Sequence, residues 1–168
     1  MAASPSRARL AVAVCGSLVM VAAMLFTAAG ATADNLRLNK SVLNDILIAQ
    51  ANNGCPVQSR MDPRLTDAAR RHSFDVRDNQ IDGHIGSDGS TTADRARDSG
   101  FIGRSAETIA IAPSVAISGI AIVNQWWNDP ESRAIMQDCS NTAIGVWSEN
   151  SPFRTALVAV YGQPGMPQ

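Results

Sequence analysis

The sequence predicts an α+β protein. Two observations give that class: capped, helix-spaced apolar stripes fill the first part of the chain, and an alternating hairpin pattern closes it. A third bears on context. Beyond a leader-like start only two cysteines remain, Cys55 and Cys139. One pair in an exported chain reads as a single disulfide.

The start reads as a signal peptide over residues 1–33. Arg7 and Arg9 are followed by an apolar run from Leu10 to Phe26 and by Ala31-Thr32-Ala33, a small-x-small cleavage site before Asp34. Cys15 follows the bulky Val14 inside that run, so it is a poor lipid-attachment site. An uncleaved segment acting as an anchor is the competing reading, and it is the only route to a membrane that the chain offers. Secretion to the exterior or the cell envelope is the expected outcome.

The remainder is read as one domain over residues 34–162. The net charge of −1 carries no electrostatic footprint for nucleic acid. Apolar residues make up 45% of the chain but aromatic ones only 5%, so the core is built mostly from Ala, Val, Ile and Leu.

Asn35 to Gln50 carries Leu36, Val42, Leu43, Ile46 and Leu47 near helical spacing, and Asn52-Asn53-Gly54 stops it. Asp62-Pro63 starts a second helix, with Asp as cap and Pro in the first turn. Leu65, Ala69, His72 and Val76 form its apolar stripe, which places His72 on a buried face as a hydrogen-bonded core residue. In the loop "DGHIGSDGSTTADR", residues 82–95, Ser90, Thr91 or Thr92 caps a short helix through Asp98, ended by Gly100.

Ser105 to Ala112 is extended. Pro113-Ser114 opens an apolar helix from Val115 to Trp127, and Asp129-Pro130 opens another short helix. Thr142 to Ser148 and Thr155 to Tyr161 are strands joined by a turn at Glu149–Pro152. The Gly/Pro-rich end is read as a flexible tail over residues 163–168.

The polar residues that could converge are His84, Glu107 and Asp129, each beside a structural punctuation mark. A histidine with carboxylates can bind a divalent metal or move protons. Arg95 follows the loop, and pairing with a carboxylate to hold that loop is its expected role.

The stretches "AARRHSFDV", "GHIGSDGSTTADRARDSGF", "AETIAIA", "WWNDPESRAIM" and "CSNTAIGVW", in this order, resemble the bacterial CAP superfamily. That is the cysteine-rich secretory, antigen 5 and pathogenesis-related-1 type of domain. The resemblance covers about residues 40–162. It implies a three-layer α–β–α sandwich around a small central antiparallel sheet, with the final hairpin at its heart.

It also implies a surface cleft. Its first histidine matches His84, and its Gly-Glu-Asn glutamate matches Glu107, here between Ala106 and Thr108. A second acidic position falls near Asp129. The second histidine of a Ser-Pro-Gly-His-Arg stretch is replaced by Ser132, in Asp129-Pro130-Glu131-Ser132-Arg133. His72 matches a structural position, which excludes a two-histidine acid–base pair. A hydroxyl is a poorer zinc ligand than an imidazole. His84 and Glu107 are therefore weak ligand candidates. No cofactor is required, and Ser132→His should strengthen zinc binding.

The resemblance implies a non-catalytic binding or interaction module, its partner a lipid, a sterol-like or other small ligand, or a host or envelope component. The alternative is an extracellular metal-assisted hydrolase or peptidase with Ser132 as nucleophile. No Gly-x-Ser-x-Gly elbow surrounds Ser132.

Overall fold

A computed structural model describes residues 35–113 and 117–165 of the chain. The chain divides into two units, Met1–Asp34 and Asn35–Gln168, and the described elements all belong to the second. The signal-peptide reading lies outside the described residues.

Helix α1 spans residues 35–52 and buries Val42, Ile46 and Ala49, a helical stripe. Gln50, at its buried end, donates to Ser59 Oγ and accepts from the Ser59 N–H. That anchors β1, Arg60–Met61, a two-residue strand too short to register in the sequence pattern. Helix α2 runs Pro63–Asp78; the Asp62 side chain caps it by accepting from the Arg64 N–H at 2.9 Å. The whole stripe Leu65, Ala69, His72 and Val76 is buried. Helix α3, Thr92–Asp98, is capped by Thr91 in a reciprocal box with Asp94. Gly100 follows it with φ +86°, a left-handed geometry that favours glycine.

Strand β2 covers Gly103–Ala112. The next helix differs from expectation. Helix α4 is Gly119–Asn128, capped by Ser118 accepting from the Ala121 N–H; Ser114 and Val115 lie outside the described residues. The start falls where Gly119 meets α1: a Cβ there would sit 2.4 Å from Ser41 Oγ. Helix α5, Pro130–Gln137, follows the cap Asp129. Strands β3, Ala143–Asn150, and β4, Thr155–Pro164, form the hairpin. Strand β4 outruns its expected end, because Gln163 and Pro164 pair with Arg104 and Gly103 of β2. Those two residues are sheet, not tail; residues 166–168 lie outside the described residues.

The sheet order is β1-β3-β4-β2, so the hairpin occupies its centre. Its three long strands are antiparallel, and only the β1 edge is parallel. Leu157, Ala159 and Tyr161 of β4 face a core shared with α1, α4 and α5, around Ile46, Ile122, Trp126 and Met136. Val158 and Val160 face α2 and α3, around Leu65, Ala69 and Phe101. This is the three-layer α–β–α sandwich, and burial on both faces explains why β4 is apolar almost throughout. Gly145 of β3 is obligatory on the second face: a Cβ there would lie 2.1 Å from the Thr66 backbone nitrogen of α2.

Cys55, beyond α1, and Cys139, beyond α5, form a disulfide.

A buried glutamate clamped by an arginine and flanked by two histidines

Glu107 lies in the middle of β2, paired with Val160 of β4, and only 3% of it is exposed. A carboxylate so deep must be hydrogen-bonded or neutralised. Arg95, on the buried side of α3 and 3% exposed, provides both. Its Nη2 donates to Oε1 at 2.9 Å and to Oε2 at 3.0 Å. The same guanidinium donates to the carbonyls of His84 and Ser90. Arg95 therefore holds the 84–90 loop and the strand together, the role expected for it.

The loop has two further clamps. Asp75 accepts from the Ser87 N–H and hydroxyl, and Arg154 donates to the Ile81 carbonyl. His84 is thus presented by a fixed loop. Its Nδ1 stands 3.1 Å from Glu107 Oε1. The carboxylate accepts, so Nδ1 carries the proton and Nε2 is left for whatever approaches. The His84 side chain is half exposed. The Glu107 hydrogen bond holds its imidazole above the ordinary histidine value against the opposing effect of burial, and the charge of Glu131 adds to the rise.

His72, expected on a buried face, is fully buried. The structure adds what helical spacing could not: its Nε2 lies 3.5 Å from Glu107 Oε1. Both histidines of the chain therefore flank one carboxylate. His72 Nε2 also donates to the Gly83 carbonyl at 3.1 Å. Burial pushes its pKa down, while the Glu107 charge pulls the other way. For Glu107, burial raises the carboxyl pKa, but the His84 hydrogen bond and the charges of Arg95 and His72 outweigh it and hold the group below its ordinary range. A buried histidine on an apolar stripe needs a polar partner, and that was the available signal for His72.

Asp129 and Ser132 sit at the start of α5. The Asp129 carboxylate accepts from the Ser132 N–H at 2.8 Å and serves as the helix cap. Asp129 and His84 lie within electrostatic reach, since the histidine charge helps lower the Asp129 carboxyl. Glu131, absent from the sequence-based candidates, stands within reach of His84 in the same way. The start of α5 therefore carries two carboxylates whose charge is felt at the presented imidazole.

The donor set does not suit a divalent cation at Glu107. Both of its oxygens already accept from a guanidinium, whose positive charge would oppose a metal ion at the same atoms. Among the described residues no three His, Cys, Asp or Glu side chains gather as a ligand set. Glu107 is equally ill-placed as a solvent-facing general base.

Known proteins share this architecture. The model of the cysteine-rich secretory protein family, CAP, matches residues 35–161. No curated protein matches the chain. Among solved structures, an outer surface protein of Borrelia burgdorferi is similar, with a TM-score of 0.66 and 18% identity over 75% of this chain and 92% of that one. An extracellular SCP-domain protein of Bacillus anthracis has a TM-score of 0.68 and 19% identity, over 77% of this chain and 41% of that chain. A cysteine-rich secretory protein of Staphylococcus aureus has a TM-score of 0.58 and 10% identity, over 77% and 39%. At these identities the likeness is one of fold. Two of the neighbours are described as outer surface or extracellular proteins, and no helix among the described residues is long and apolar enough to cross a membrane.

Proposed function

This chain belongs to the cysteine-rich secretory protein (CAP) family, and from that premise we propose that it acts outside the cytoplasm as a non-catalytic binding module. The observation that carries the reading is the clamp on Glu107. Hydrolysis in such a cleft requires a carboxylate or an imidazole pair that can reach water or substrate. Here the Glu107 carboxylate is buried under Arg95 and the His72 imidazole is fully buried, so of these three groups only His84 meets solvent. A lone imidazole beside acidic residues suits recognition of a ligand better than turnover.

Zinc is at most a weak ligand in this reading, since one accessible imidazole and the α5 carboxylates would have to hold it without Glu107. The partner is a small ligand such as a lipid, or an envelope or host component.

The test is to incubate the exported protein with casein, short peptides and acyl esters, with and without added zinc. No turnover above a His84→Ala control is expected. Hydrolysis that disappears in His84→Ala would overturn the proposal and favour a metal-assisted hydrolase.

A further inference from the structure

Two segments of the chain are tied together where α1 and α5 end. Asn53, just past α1, donates through Nδ2 to the Gln137 carbonyl at 3.0 Å, and its Oδ1 accepts from Gln137 Nε2 at 3.2 Å. Two residues on, Cys55 is bonded to Cys139. Both links join positions 84 apart in the sequence. The amide pair and the disulfide are therefore successive rungs of one seam, and both cysteines are partly exposed.

Asn53 is followed by Gly54, and the sequence contains no other Asn-Gly pair. Such a pair is chemically labile, because glycine lacks the Cβ that would hinder its backbone nitrogen from approaching the preceding side chain. The Gly54 nitrogen, after giving its proton to hydroxide, can attack Asn53 Cγ. The new C–N bond closes a five-membered succinimide. The side-chain nitrogen takes a proton from water and leaves as ammonia. A further water opens the ring at either carbonyl and leaves aspartate or isoaspartate. Asn53 and Gly54 are both exposed, so hydroxide and water reach them.

The fold engages the groups that this step needs. The Gly54 N–H donates to the Ala51 carbonyl at 3.0 Å. On either side of it, the N–H groups of Asn53 and Cys55 donate to the Ala49 and Gln50 carbonyls. The amide to be attacked is held at both of its polar atoms by Gln137. Nucleophile and electrophile meet only when the seam opens locally.

We propose that Asn53–Gly54 is a deamidation site latched by Gln137 and by the Cys55–Cys139 disulfide, and that a thiol reductant releases it. The reductant supplies two electrons and two protons and leaves two thiols. The modification is one-way. An aspartate carboxylate at position 53 has no N–H for the Gln137 carbonyl, and an isoaspartate lengthens the backbone two residues before Cys55. A chain that has lost its disulfide is thereby marked. The inference stands apart from the binding-module reading.

The test is to incubate the exported protein at mildly alkaline pH and to follow deamidation by intact mass and peptide mapping. Isomerisation at Asp82–Gly83 or Asp88–Gly89 leaves the mass unchanged and does not interfere. A synthetic peptide of residues 50–58 carrying Cys55→Ser sets the unlatched rate. The oxidised parent should react far more slowly than the peptide. Gln137→Ala should react about three- to tenfold faster than the parent for its lost hydrogen bonds. The thiol-reduced parent and the Cys55→Ala/Cys139→Ala variant should be faster still, approaching the peptide, and Asn53→Ser should gain no mass. Gln137→Ala keeps the disulfide, so it tests the latch even if the cysteine variant unfolds. A parent that deamidates as fast as the peptide, a Gln137→Ala or reduced protein no faster than the parent, or a mass gain that maps to another asparagine overturns the proposal.

Discussion

At the scale of single residues, the contact that matters most is Arg95 on Glu107. Both side chains are almost fully buried, so removing one strands the other's charge in a poorly solvated place. Arg95→Met should cost about 3–5 kcal/mol, the usual penalty for breaking a buried pair, read as a drop in the urea midpoint. Adding Glu107→Gln to it should recover part of that loss, the non-additivity expected of contacting residues. The two histidines give opposite pH dependences. His84 has a raised pKa, so its stabilisation is complete below the unfolded value near 6.5 and is lost as pH rises through the folded value. His72 has a lowered pKa, so acidification below about 6.5 destabilises the fold. The midpoint difference between the parent and His84→Gln should therefore be largest below pH 6.5 and shrink above it; a difference independent of pH would refute the assignment. The meeting of His84 with Glu107 was legible because loop punctuation and family pattern marked both residues as candidates. His72 was legible only as core. Helical spacing reports which face a residue occupies, not the reach of its ring tip toward another element's strand.

Elements were legible where they carry their own start signals. Asp62-Pro63, Thr91 and Asp129-Pro130 begin helices as read, because each cap satisfies local N–H groups whatever the rest of the chain does. The apolar run before Trp127 misled, since Ser118 is the working cap and the helix begins at Gly119. Strand β1 and the end of β4 owe their existence to partners far along the chain, so no local pattern announces them. Two tests belong to this scale. Gly145→Ala would push a methyl into the α2 backbone at Thr66, with no flexible side chain to yield. Soluble expression should collapse, whereas Gly83→Ala, where a Cβ meets open space, should be neutral. The disulfide spans 84 residues of sequence, and replacing both cysteines by Ala should lower stability by about 4–5 kcal/mol in the chain-entropy model. A denaturation curve of the double variant that overlays the parent would contradict this.

For the molecule as a whole, two apolar cores on opposite faces of one sheet, with one disulfide, supply the cohesion. Thermal melts with and without a strong chelator should therefore coincide within error; a large fall in midpoint on chelation would reveal a structural ion. The α+β class was readable from the order of periodicities, while the order of strands was not. That order has a consequence for how the protein is made. The strand that joins β2 to β3 is β4, the last of the described strands. Until residues 155–164 have been made, β2 has no strand to pair with and β3 has only the two residues of β1. The β3–β4–β2 ladder therefore forms only once its joining strand has been made.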